Sequence, residues 1–422
     1  MRGALRHRLP VVLQQRDFLL LWIALVAEAF GIQMIAVAVG WQVFSINHSA
    51  FDLGLIGLCE FLPLLLLALP AGHLADRLPR RLVFATALAL GVCVTALLLV
   101  VTIAGAKQLW PFLVLAAASG VSAAIANPAA RALGPSLVPF ELIPSAMAWR
   151  SIAFQSGTVV GPALGGLLFA LNEESVYVFA AVMLAIGVAA LVAAREPDER
   201  LPGTKAPGLS SVLEGIRFIR RTPVMLGAIS LDLFAVLFGG AIALLPLFAK
   251  QILHTGPLGL GVLRSAPAVG ALLAAVMLAR KPIRGNTGST LLAVVAAFGV
   301  SMIVFGLSHN FALSLAALAV SGFVDMISVN IRATIPAVAA PNEVRGRVVA
   351  VEMVFISASN ELGAFESGVV AALIGAVPAV VIGGAVTIAL AGIWKWVFPD
   401  LARIDRIDEL RPEPAGSPGA AV

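Results

Sequence analysis

The sequence predicts an all-α membrane protein: twelve transmembrane helices in two six-helix bundles, with both termini cytoplasmic. Three observations carry that prediction. The 422 residues are 60% hydrophobic and only 12% charged, against roughly 45–50% and 25% in an average soluble chain. The apolar residues fall into twelve runs, each long enough to cross a bilayer core of ~30 Å at ~1.5 Å per helical residue. Lys and Arg gather in alternate connections, as cytoplasmic loops require. A chain with so little charge is not a soluble enzyme, a disordered chain or a fibre.

Arg2, Arg6, Arg8 and Arg16 precede a first apolar run that is too long for a cleaved signal peptide, so it is read as a retained span. The first six spans are read at 18–46, 51–71, 82–105, 109–131, 145–171 and 174–194. The interval 195–222 is the one long polar interruption, a cytoplasmic central loop. Its stretch Glu214–Arg221, EGIRFIRR, reads as a basic amphipathic helix lying on the inner leaflet. The second six are read at 223–249, 258–279, 288–308, 311–335, 348–373 and 376–398. The bundles are therefore 1–194 and 223–400, followed by a cytoplasmic disordered tail at 401–422. With the N-terminus inside, 25 of the 28 Lys and Arg fall on the cytoplasmic side, leaving Lys107, Lys250 and Arg264. Runs of this length must be helices, because open sheet edges cannot face lipid. Trp22, Trp110, Trp394 and Trp396 lie near span ends, the headgroup level that indoles prefer.

Cys59 and Cys93 lie inside apolar runs, which excludes a disulfide framework and Cys-based metal spacing. The five histidines fall in loops or at ends, and no metal, nucleophile–base or phosphate-loop pattern occurs. No metal and no cofactor are expected. The net charge of +5 is a topology signal rather than a nucleic-acid footprint.

The loop after span 2 reads Gly72-His73-Leu74-Ala75-Asp76-Arg77-Leu78-Pro79-Arg80-Arg81. It resembles the G-x-L-a-D-R-x-G-R-R/K signature of the major facilitator superfamily, with Pro79 where that family usually has Gly. The resemblance implies the major facilitator fold and a conformational gate made by Gly72, Asp76, Arg77, Arg80 and Arg81. Asp76 suits an exposed helix N-terminus, where the macrodipole favours an anion, and Arg80 suits a carboxylate across the inner surface. The matching place in the second half, LARKPIRGN, lacks the Asp. Span 5 carries Gly157, Gly161, Pro162, Gly165 and Gly166, similar to the G-x-x-x-G-P-x-x-G-G pattern of proton-driven exporters. Small residues there let backbones approach closely. The stretch Asp325–Gly368, with GWQVF at Gly40–Phe44 and NPAARAL at Asn127–Leu133, resembles the branch containing the enterobactin exporter and transmembrane secretion effector proteins. Proton-coupled members often have Arg four residues before a Gly in span 4; this chain has Ala116 before Gly120, so that relay does not transfer.

Ionisable residues inside spans are expensive and mark function or pairing. They are Glu28, Glu60, Asp232, Arg264, Asp325, Arg332, Glu352, Glu361 and Glu366. Glu28, Asp232, Glu361 and Glu366 form the pool of proton-coupling candidates, since a carboxyl withdrawn from water can load and release a proton near neutral pH. Arg332 and Glu352 are expected to serve structural pairs. Gln33, Met34, Trp41, Gln42, Phe234, Phe238 and Asn360 are candidates for a substrate cavity; each is equally open to a packing role. By resemblance the protein is expected to be a proton-coupled exporter of a small amphipathic molecule (a siderophore, drug or hydrophobic metabolite), working by alternating access in the bacterial inner membrane. Its expected partners are that substrate, protons and the bilayer, with no nucleic acid and no oligomer needed. Alternatives are an importer or uniporter of the same fold and a non-transporting receptor.

Overall fold

The computed structural model describes residues 10–195, 209–283, 285–406 and Leu410. Arg284, the interval 196–208 and most of the predicted tail lie outside the described residues. Among the described residues there are helices and no strands. Twelve helices are long and apolar enough to cross a membrane: Arg16–Asn47, Ala50–Leu67, Arg80–Ile103, Trp110–Ser136, Phe140–Leu171 and Glu173–Ala193, then Pro223–Ile252, Pro257–Arg280, Thr287–Leu307, Phe311–Ala339, Val344–Ile374 and Ala376–Val397. These are spans 1 to 12 below.

The chain divides into two compact units. Unit 1 is Met1–Ala206 with Ile242–Ala268 and Gly368–Ala376; unit 2 is Pro207–Ala241, Val269–Ser367 and Val377–Val422. In unit 1 the core is built from Phe18, Leu21 and Leu25 of span 1, Phe84 and Leu88 of span 3, Ala129 and Leu133 of span 4, and Leu184 and Leu191 of span 6. Lipid is as apolar as these side chains, so close packing decides where the helices meet. The span 5 glycines show how. A Cβ at Gly157, Gly161 or Gly165 would lie 2.5–2.8 Å from Ala29, Gln33 and Met34 of span 1. A Cβ at Gly166 would run into the Pro257 carbonyl of span 8 and lie 3.1 Å from the Gly261 Cα. One short motif thus seats span 5 against two neighbours inside unit 1.

Span 7 is not one straight helix. It runs from Pro223 to Gly239, breaks at Gly240, and resumes through a 3-10 turn into a π-helical turn at Phe248–Ile252. Paired glycines favour the break, and Pro246 cannot donate to the turn before it. The carbonyl of Gly240 accepts a hydrogen bond from Ser367 Oγ at 2.8 Å, as broken backbone at membrane depth demands.

The basic amphipathic helix is present as Leu209–Arg221, and part of its apolar side packs on protein. Ile219 is buried in the unit 2 core, and Gly215 presses on the Arg347 backbone of span 11. Glu214 pairs with Arg347. The tryptophans also divide. Trp110 and Trp396 are exposed as a headgroup belt requires, whereas Trp22 donates to the Trp149 carbonyl at 2.9 Å and Trp394 to the Gly227 carbonyl at 3.0 Å. A buried indole N–H needs such a partner.

Candidate functional site

The densest charged arrangement lies in unit 2, where spans 7, 9, 10 and 11 meet around Arg332. Arg332 forms an ion pair with Asp232 of span 7. A second carboxylate, Asp325, lies 3.8 Å away on its own helix, two turns before it in sequence, which puts both on one helical face. Arg332 Nε donates to Ser328 Oγ at 3.0 Å. Glu352 of span 11 feels the charges of both Arg332 and Asp232. Asp232 and Arg332 are 8% and 6% exposed, whereas the Asp325 side chain is 47% exposed. Asp325 opens into a small cavity shared with Asp232, Arg332, Ser328, Val294, Val295 and Phe298. One arginine therefore lies against two carboxylates, Asp232 in a closed pair and Asp325 exposed at the cavity.

Asp232 belongs to this cluster; the other proton-coupling candidates do not join it. Glu361 and Glu366 are half-buried on span 11, beginning about 13 Å further along the helix axis than Glu352. Glu28 lies half-buried on span 1 in unit 1. Arg332, expected to serve a structural pair, pairs with Asp232 and so bridges spans 7 and 10. Period-based reading could find Asp325 and Arg332 on one face, but only span packing brings Asp232 to them.

The cavity candidates scatter. Met34 is fully buried under Gly165. Gln42 donates to Thr102 Oγ1 at 3.1 Å and accepts from the Tyr177 hydroxyl at 2.5 Å, so its amide serves the packing of spans 1, 3 and 6. Phe234 stacks on Phe238 at 6.3 Å and meets Trp394 edge-on at 5.8 Å, an aromatic seam between spans 7 and 12. Gln33 is half-buried beside Gly161, and Asn360 is exposed on span 11. Trp41 lies 5.4 Å below the Lys250 ammonium, which donates to Ser45 Oγ at 2.7 Å. Ala116 is buried, and Gly120 abuts the Glu60 carbonyl, so this part of span 4 is a packing seam.

In the loop expected to form the gate, the side chain of Asp76 lies outside the described residues. Arg80 donates to the Ala132 carbonyl at 3.3 Å, and Arg81 to the carbonyls of Val192, at 3.2 Å, and Ala194. Both arginines thus reach the carbonyl-rich C-terminal ends of spans 4 and 6, where cations are favoured. In unit 2 the loop lacking an acid is served from the far end of the chain: Asp405 Oδ1 accepts from the Asn286 N–H at 2.6 Å, and the Asp405 carbonyl accepts from Thr287.

A chain of twelve spans finds its counterpart among known proteins. The sequence matches the transmembrane secretion effector family over residues 10–414. The chain belongs to that family. It is a transporter of the major facilitator superfamily and not an enzyme. It is 30% identical over 401 residues to the multidrug efflux pump Tap of Mycolicibacterium fortuitum, covering 92% of this chain and 96% of that one. It is 25% identical to the enterobactin exporter EntS of Citrobacter koseri, over 75% of this chain and 76% of that one. A bacterial homologue of the human lysosomal transporter Spinster, solved inward-facing and occupied, shares the fold with a TM-score of 0.73 at 16% identity, over 95% of this chain and 99% of that one.

Proposed function

We propose that this transporter exports a small amphipathic molecule from the bacterial cytoplasm across the inner membrane in exchange for protons, as a monomer with both termini inside. The observation that carries the reading is the surplus of carboxylates around Arg332. With Asp232 and Asp325 both ionised, one arginine lies against two negative charges inside the membrane, and such a cluster is relieved by taking up protons. Asp325, open to the cavity, is the group that exchanges with water. With a proton on Asp325, Arg332 stays closed on Asp232. With the proton gone, Arg332 is shared between two carboxylates on two spans. That is a bistable element which a proton biases, the requirement for coupling ion binding to alternating access. The relatives named as an efflux pump and an exporter support the outward direction. Gly72, Asp76, Arg77, Arg80 and Arg81 act as the conformational gate, and Asp76→Asn should slow turnover severely while substrate binding stays near normal.

The test uses purified protein in liposomes with a trapped pH-sensitive dye, an imposed pH gradient, and a panel of lipophilic cations, fluoroquinolones and catecholate siderophores. Substrate-dependent proton movement is expected in the wild type and lost in Asp325→Asn, with substrate still equilibrating. Undiminished proton movement in both Asp325→Asn and Glu352→Gln would remove the cluster from the mechanism. Counterflow in vesicles of known orientation checks the direction.

A further inference from the structure

The cavity beside Arg332 has two kinds of wall. It is bounded by spans 7, 9 and 10, and among the described residues five of the nine that line it are apolar, Val236, Val294 and Phe298 among them. Phe298 reaches across to span 7 at Gly239, where an added Cβ would lie 2.9 Å from the ring edge. The other wall is charged, and its charges do not balance. Arg332 is closed on Asp232, and its Nε donates to Ser328 Oγ at 3.0 Å. That pair is neutral as a unit. Asp325 stands 3.8 Å from the same guanidinium, near the outer limit of an ion pair, with 47% of its side chain exposed. Asp232, Asp325 and Arg332 are the charged residues of the lining, so the cavity carries one negative charge that the lining does not compensate. Span 9 adds apolar side chains only, and Glu352, the carboxylate of span 11 that senses these charges, has the same sign as the surplus.

An uncompensated carboxylate within a span is costly. A proton relieves it, and so does a cation. A cation with an apolar body satisfies both walls at once, as ligand sites with a few convergent polar groups require. The cavity is small, so it admits a head group rather than a whole amphiphile. A primary ammonium is compact, carries a point charge and offers three N–H donors to a carboxylate. We propose that this cavity binds the cargo's head group as a primary ammonium on Asp325, with the apolar part of the cargo along Val236, Val294 and Phe298. The substrate class is then an amphiphilic amine. The assignment of that amine as cargo rests on the export reading above; the binding step is separable from it. An ammonium pairs with the carboxylate only after its proton has left to water, so amine and proton alternate on one side chain.

The experiment titrates 2-naphthylmethylamine into the full chain in phosphatidylcholine nanodiscs by calorimetry, with 2-naphthylmethanol as the neutral isostere and the N-trimethylated amine as a bulkier cation. At pH 8 the amine should bind about tenfold or more tightly than the alcohol, the order expected for a charge-assisted contact. The trimethylated form should bind several-fold more weakly than the amine. Asp325→Asn should bring the amine down to the level of the alcohol. Unchanged alcohol binding in that variant reports an intact site, and Asp325→Glu should keep the preference. Phe298→Ala should weaken amine and alcohol alike. At pH 5, where the amine is still charged, the wild type should bind it more weakly and Asp325→Asn should not change. Equal binding of amine and alcohol, a preference that survives in Asp325→Asn, or amine binding that is the same at both pH values overturns the proposal. Loss of the amine preference with Asp325-dependent proton movement intact defeats this inference alone. A clear amine preference without substrate-driven proton movement defeats the coupling reading alone.

Discussion

Each unit places arginine and carboxylate in its spans, and the two arrangements differ in closure. In unit 2 a fully enclosed Arg332 is held directly by Asp232 and Ser328, with Asp325 and Glu352 in excess. In unit 1 Glu28 and Arg150 are half-buried on spans 1 and 5, with no ion pair or side-chain hydrogen bond among the described residues. The difference teaches how to read charge inside a membrane. A closed pair compensates itself, and only the carboxylates beyond it are available to protons. The residue types in the two clusters are nearly the same, and their ratio and enclosure set the chemistry.

The comparison breaks most visibly in stability. Arg332→Met strands Asp232, and losing one partner of a buried pair should destabilise the protein by about 3–5 kcal/mol. Adding Asp232→Asn should recover part of that loss, whereas Arg150→Met should cost under about 1 kcal/mol, since no direct pair is lost. Thermal unfolding in one detergent measures all three, and equal losses for Arg332→Met and Arg150→Met would erase the distinction between closed and open clusters. Next in size is Gly157→Val, which wedges span 5 away from Ala29. Overpacking of this kind costs about 1–3 kcal/mol, and it should shift the Trp22–Trp149 fluorescence while leaving unit 2 undisturbed. Asp325→Asn should change stability by less than about 1 kcal/mol, because the side chain is outside the closed pair, yet abolish coupling. A large stability loss would place Asp325 inside the structural pair and shift the proton role to Glu352. Smallest is Glu214→Gln. Its partner Arg347 is partly exposed, so no more than about 0.2–1 kcal/mol is at stake, and only the linker helix should loosen, as hydrogen exchange across Leu209–Arg221 would report.

Much of the fold was legible from composition alone. Twelve apolar runs became twelve spans with ends displaced by a few residues, because a bilayer leaves a chain of this hydropathy one regular option per run. The break at Gly240 was not anticipated, since Gly and Pro are common within membrane helices and hydropathy is blind to their effect. The linker helix was legible as amphipathic, but the partner of its apolar side was not: Gly215 and Ile219 suit lipid or span 11 equally well by pattern. Among site residues, Asp232 and Glu28 stood out as lone charges in apolar runs. The partner of Asp232 could not be chosen, because Arg332 is 100 positions away.

By itself, then, the sequence determined the class of protein, the number of spans and the set of charges within them. These follow from local hydropathy, spacing and charge bias, each a property of neighbouring residues. The tertiary structure decided which charges meet. It closed Arg332 on Asp232, left Asp325 open, turned Gln42 toward Tyr177 and Thr102, buried Met34 beneath Gly165, and brought Asp405 to the start of span 9. The physical reason is that electrostatics and hydrogen bonding act over a few ångströms of space. Distance along the chain says nothing about that spacing until small residues such as Gly157 and Gly165 set how closely the helices lie.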